Sequence, residues 1–94
     1  MKNSSCQKAQ ERKKRIQKLM DKLLLEEVQA EIRQYILDYP DDADVYSMKA
    51  VALLLSAQTD KAIAVIQEGL QKSPGNFDLL YNQAYIFEQS EAYD

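Results

Sequence analysis

Histidine is absent from this 94-residue chain, so the usual general base near neutral pH and the commonest metal ligand are both missing. The single cysteine, Cys6, has no histidine to activate it and no partner for an intrachain disulfide. A reducing, cytoplasmic setting is therefore expected, with Cys6 a bystander near a frayed terminus. Glycine is almost as scarce. Gly69 and Gly75 are too few and too scattered to cradle a phosphate. The opening residues Met1 to Cys6 are polar and lack the apolar core of a secretory signal. Nowhere do apolar residues run for the roughly 18 positions that could cross a bilayer. These absences predict no enzyme activity, no cofactor, no metal and no membrane span. Asp41, Asp42 and Asp44 could attract a cation, yet they lack the calcium-loop pattern with its bidentate glutamate, and helix capping is the role read for them.

What the chain does have is a globular share of apolar residues, 46%. At this length a domain buries only about 60 to 65% of the surface of its unfolded form, which leaves no room for a deep substrate cavity. Charge is split unevenly. Residues 1 to 22 carry eight Lys or Arg against Glu11 and Asp21, a net of +6, while residues 23 to 94 carry a net of -9. A basic first segment can attract nucleic acid, an anionic surface or an acidic partner, or it can be a solvated helix face. Lys8, Arg12, Lys13, Lys14, Arg15, Lys18 and Lys22 have no aromatic platform among them, so any nucleic-acid binding would be nonspecific and strongly weakened by salt.

Between Ser5 and Tyr39 there is no Gly or Pro, and Ile16, Leu19, Met20, Leu23 and Leu24 follow helical spacing. A second apolar stripe, Val28, Ile32, Tyr35 and Ile36, ends before Pro40, which disfavours helical geometry in its predecessor. A third helix is predicted from the Asp41 to Asp44 caps to about Ser56. A fourth, capped by Thr59 or Asp60, runs to Ser73-Pro74-Gly75-Asn76, and a fifth runs from about Phe77 to about Ser90. The expected turn near Lys22 to Leu25 contains no Gly, Asn or Ser. Residues 5 to 38 therefore form either two helices or one long helix that would favour an exchanged dimer. No stretch alternates apolar and polar residues long enough for a strand, and the fold class expected is all-α, an array of antiparallel helix pairs.

Pro40 and Pro74, the only prolines, stand 34 residues apart, and at that register Ala30 meets Ala64, Ile32 meets Ile66, Ile36 meets Leu70 and Ala50 meets Ala84. A fixed period of this size marks units that bury their apolar faces by stacking. Residues 43 to 76 resemble a tetratricopeptide repeat, whose signature is W-x2-L-G-x2-Y, then A-x3-F, then P. Tyr46 takes the place of the tryptophan, Ala50 the glycine, Leu53 the tyrosine, Ala62 the alanine, Ile66 the phenylalanine and Pro74 the proline. Lys49 departs from the pattern, and Gly69 fits a further small position where close packing is expected. Residues 9 to 42 match as an atypical terminal repeat, with Arg12 and Arg15 in normally apolar places. Residues 77 to 94 match a first helix through Leu80, Ala84 and Phe87, and residues 1 to 8 read as a flexible N-terminus.

The resemblance implies a right-handed superhelix of about five helices and a concave groove that holds a peptide or partner protein. By the family's geometry Lys13, Gln17 and Met20 line it from the first helix, Ser47, Met48 and Val51 from the third, and Tyr81, Asn82 and Tyr85 from the fifth. Paired tyrosines offer rigid contact area with hydroxyls; the alternative for them is packing inside the domain or at a dimer contact. One subset of the family grips C-terminal carboxylates with Lys, Asn and Arg. Here Lys13 matches, but Gln17 and Met48 replace asparagines, and Asp78 and Asn82 replace a lysine and an arginine. Asp44 and Asp78 point instead to a basic or neutral ligand. Ile86 and Phe87 have no following helix to cover them, so a homodimer through the fifth helix is expected. The alternative reading is a docking region of a larger enzyme, for example a bacterial glycosyltransferase.

Overall fold

The computed structural model describes the backbone of residues 4–92 and the side chains of residues 7–89. Five helices follow one another: α1 (Ser4–Asp21), α2 (Leu25–Asp38), α3 (Ala43–Leu55), α4 (Thr59–Lys72) and α5 (Phe77–Ala92). No strand occurs among the described residues. Helix α1 starts ahead of residue 9, inside the stretch expected to be flexible; residues 1–3 and the side chain of Cys6 lie outside the described residues.

The single long helix left open over residues 5 to 38 does not form, because the chain reverses at Leu23. That residue adopts φ 59°, in the left-handed region, with Leu23 N–H donating to Met20 O at 2.8 Å and Leu24 N–H to Leu19 O at 3.0 Å. This pair of bonds is the Schellman closure, which normally uses glycine. The same device recurs at Ala57, φ 61°, where Ala57 N–H reaches Leu54 O at 3.0 Å and Gln58 N–H reaches Leu53 O at 2.8 Å. Left-handed geometry costs an L-residue about 1–2 kcal/mol, partly offset by the lower unfolded-state entropy of a residue with a Cβ. Both side chains are exposed, so little packing is at stake. Leu23→Gly and Ala57→Gly are each expected to stabilise the protein by about 0.5–1 kcal/mol, read as a rise of a few degrees in thermal midpoint. A fall at either site would show that the positive φ carries no strain there.

The internal boundaries repeat at the period read from the prolines. The turns at Leu23 and Ala57, the starts of α2 and α4, and the starts of α3 and α5 are each 34 residues apart. The proline-containing loops also coincide: Tyr39 N–H bonds Tyr35 O at 2.8 Å and Ser73 N–H bonds Gly69 O at 2.9 Å. Asp42 then caps α3, accepting from Asp44 N–H at 3.1 Å, and its counterpart Asn76 caps α5, accepting from Leu79 N–H at 3.0 Å. The cap expected for α4 differs. Its N-cap is Gln58, without a side-chain bond, so neither Thr59 nor Asp60 serves.

Short connections make consecutive helices neighbours. Helix α3 sits at the centre, packed on α1, α2, α4 and α5, whereas α2 and α4 make no comparable contact with each other. Helices α1, α3 and α5 therefore form one layer and α2 and α4 the other. Ile16, Val28, Ile32, Tyr35, Val45, Ile66 and Leu79 are fully enclosed between them. The repeat-packing residues Tyr46, Ala50, Leu53, Ala62, Ile66 and Gly69 are all buried, while Pro74 is exposed in its loop.

The two repeats fill one position in opposite ways. In the second, bulky Tyr46 on α3 faces Gly69 on α4; in the first, Arg12 stands at the Tyr46 position and Tyr35 at the Gly69 position. Arg12 is not turned to water. Its guanidinium lies 5.2 Å from the Tyr35 ring centre and 5.7 Å from that of Tyr39, and it pairs with Asp38 at 2.6 Å. Arg15 pairs with Glu31 at 3.6 Å.

At the other end, the expected lack of cover holds for one residue of α5 and fails for its neighbour. Ile86 is 3% exposed and shares a small crevice with Ile63 and Ile66 of α4, so it already has its partner. Phe87 is 56% exposed.

Candidate binding groove

Because α1, α3 and α5 form one layer, their outward faces make a continuous surface, and it carries two adjoining hollows. One, of about 520 Å³, is walled by α1 and α3 and includes Lys13, Gln17, Met20, Ser47, Met48 and Val51. The other, of about 570 Å³, lies between α3 and α5 and includes Val51, Tyr81, Asn82 and Tyr85. Val51 and Leu55 belong to both, so the hollows form one groove. All nine residues named from the sequence as groove-lining are brought together here.

They do not contribute equally. Met20 is 5% exposed and Ser47 8%, so both form the floor and offer little surface. Ser47 is held in place by Asn82, whose Nδ2 donates to its Oγ at 3.2 Å. Tyr81 and Tyr85 do not pack inside the domain; they are 64% and 47% exposed. The sequence reading missed Leu54, which lines the hollow between α3 and α5, and Leu55, which stands at the junction of the two. The signal was present in Leu53-Leu54-Leu55, since a run of three leucines supplies more apolar surface than one buried face of a helix uses. Leu53 is buried and Leu55 is 51% exposed.

The charged end of the groove is organised by Asp42. Tyr35 Oη donates to Asp42 Oδ2, and Lys13 Nζ reaches the same oxygen at 3.0 Å and Asp44 Oδ2 at 3.6 Å. Burial pushes the Asp42 carboxyl up, but the hydrogen bonds from Tyr35 and Lys13 and the charge of Lys13 outweigh it, and the group ends below the ordinary carboxylate value. The Tyr35 hydroxyl moves the other way, raised first by burial and then by its bond to Asp42. Asp44 also accepts from Asn76 Nδ2 at 3.1 Å, which ties the start of α3 to the start of α5. Asp41, the third member of the acidic run, pairs with Lys72 at 3.4 Å. The three carboxylates thus serve three different helix contacts.

Among the described residues, no group of three or more His, Cys, Asp or Glu is placed to hold a metal ion. Nor, among them, is any helix long and apolar enough to cross a membrane. The chain matches no family model, no curated protein and no solved structure, so the role of the groove rests on its own residues.

Proposed function

We propose that this chain is a non-catalytic, tetratricopeptide-like interaction module, working in the cytoplasm, that binds a peptide or partner protein in the groove across α1, α3 and α5. The observation that carries the reading is the continuous groove with exposed Leu55, Tyr81 and Tyr85 on its apolar half. Large exposed apolar side chains gathered beside a polar region are the usual mark of a partner site. The 34-residue recurrence of every turn and cap supports the family likeness.

The test is affinity capture from cell extract with the native chain, a Tyr81→Ala/Tyr85→Ala double variant, and a Lys8→Gln/Lys14→Gln/Lys18→Gln variant of the basic face. A charge variant is needed because Ile16 and Met20 are buried, and removing α1 would strip the core. A partner held by the groove is expected to be retained at least ~10-fold less by the tyrosine variant and to resist moderate salt. Loss only in the lysine variant, together with decay in salt, would replace the groove by an electrostatic contact such as nucleic acid. That reading is weakened by the pairing of Arg12, Lys13 and Arg15 with acidic residues of the same chain.

A second surface supports the homodimer. Leu80 and Phe87 are 43% and 56% exposed and Ala84 is exposed between them, whereas their counterparts Tyr46, Leu53 and Ala50 on α3 are covered by α4. A helix from a second copy laid on this stripe would give it the cover α3 already has. Sedimentation at tens of micromolar is expected to show a dimer that Phe87→Glu dissociates. A monomer at that concentration would rule it out.

A further inference from the structure

The charge of the groove selects its occupant. The hollow between α1 and α3 is lined by one cation, Lys13, and three carboxylates, Asp21, Asp44 and Asp78. Lys13 is already taken up by Asp42 at 3.0 Å and Asp44 at 3.6 Å. Asp78 is exposed and has no ion pair among the described residues. Asp44 and Asp78 stand in the first turns of α3 and α5, so they share one end of the groove. The other end holds Leu54, Leu55, Tyr85 and Ile86, an apolar lining.

Resting on the groove reading above, we propose that the ligand is a cationic peptide segment, with a Lys or Arg side chain set between Asp44 and Asp78 and a large apolar side chain seated over Leu55 and Tyr85. The separation follows from helix geometry. Asp44 and Leu55 are eleven residues apart on α3, about 16 Å along the axis at roughly 1.5 Å per residue. An extended peptide covers that distance in about five residues at roughly 3.3 Å each. An acidic or carboxylate-terminated peptide would meet uncompensated negative charge at this end, since the single lysine has no charge left to offer. Opposite-charge complementarity at an exposed site acts on partner choice and association rate more than on total affinity.

The experiment is selection from a displayed library of random ten-residue peptides on the immobilised full chain, on an Asp44→Asn/Asp78→Asn variant and on the Tyr81→Ala/Tyr85→Ala variant. Unfolding curves would confirm that each bait is folded. Sequences enriched on the native chain are expected to carry Lys or Arg about five residues from a Leu, Phe or Trp. The best of them, made as labelled peptides, should bind the carboxamide variant several-fold more weakly, chiefly through slower association, with the difference shrinking as salt rises. If enriched peptides depend on the tyrosines but show no basic selection, the cationic specificity fails and the groove stands. If nothing enriches over a blank surface, both fail. A chain that sediments as a dimer, and becomes a monomer in the carboxamide variant, would show the groove filled by the basic face of a second copy and would overturn the proposal.

Discussion

Gly69→Val is expected to destabilise the fold by about 3 kcal/mol. A Cβ built at Gly69 comes within 2.7 Å of Leu79 Cδ1 and 2.9 Å of Tyr46 Cβ, distances that real carbon contacts do not show. Leu79 is fully enclosed and cannot swing away into solvent. Tyr46 Cβ is fixed to the α3 backbone, so relief requires α4 to move off α3 along the most extensive interface in the molecule. Overpacking of this kind costs about 1–3 kcal/mol for a single added group. Gly69→Ala regains about 1 kcal/mol of helix propensity, which leaves a net loss of about 0–2 kcal/mol. Valine adds two more methyl groups with a poorer propensity than alanine, and the loss grows. Gly75→Ala is the control, since a Cβ there meets nothing within 4 Å and the residue has no positive φ. Urea unfolding would measure all three; an unchanged midpoint for Gly69→Val would mean that α3, α4 and α5 separate without cost.

Gly69 also illustrates what was legible beforehand. The prolines, the period and the apolar spacings were enough to place the three helices after Pro40, because each signal is local or repeats, and they left residues 5 to 38 as two helices or one. Close approach at Gly69 was readable for the same reason: an interior glycine in an otherwise strong helix needs a packing explanation. The turn near Lys22 to Leu25 was located by the repeat but its formation stayed open, because a left-handed leucine leaves no mark in sequence and is held there by the helices on either side. Ile86 was misjudged because its cover comes from Ile63 and Ile66 of the preceding α4, too far back along the chain for a local pattern to show. The nine groove positions came from the family's geometry, and the structure adds what spacing cannot carry: which of them are floor and which are surface. The quenching of Lys13 by Asp42 joins residues 29 positions apart, and only the folded chain brings them together.

Asp42→Ala is expected to cost a further, comparable amount, about 3 kcal/mol, because one carboxylate holds three elements. It caps α3 through Asp44 N–H, a bond worth about 1 kcal/mol. It also accepts from the buried Tyr35 of α2 and from Lys13 of α1, and an ionised acceptor contributes about 1.5–3 kcal/mol when its partner is shielded from water. Alanine leaves the Tyr35 hydroxyl unmatched and Lys13 with only the longer contact to Asp44 at 3.6 Å. Asp42→Asn keeps one acceptor oxygen, enough for the tyrosine or the cap but not for both, which use different oxygens, and it removes the charge, so its cost should be smaller than that of alanine, about 1–2 kcal/mol at neutral pH. The pH dependence separates the two roles. A carboxyl held below its ordinary value contributes stability that is complete above the unfolded value of about 4 and is lost as pH falls through the lower folded value. Native protein should therefore lose stability on acidification, and the Asn variant should lose less, so the gap between them closes below about pH 4. The raised Tyr35 hydroxyl acts at the opposite extreme. Its contribution is complete below the unfolded value of about 10 and declines above it, where only the unfolded chain ionises readily, and Tyr35→Phe should remove that decline. Urea midpoints from pH 2.5 to 11 would test both limbs. Parallel acid limbs for native and Asn proteins would show that Asp42 gains nothing from its charge in the fold.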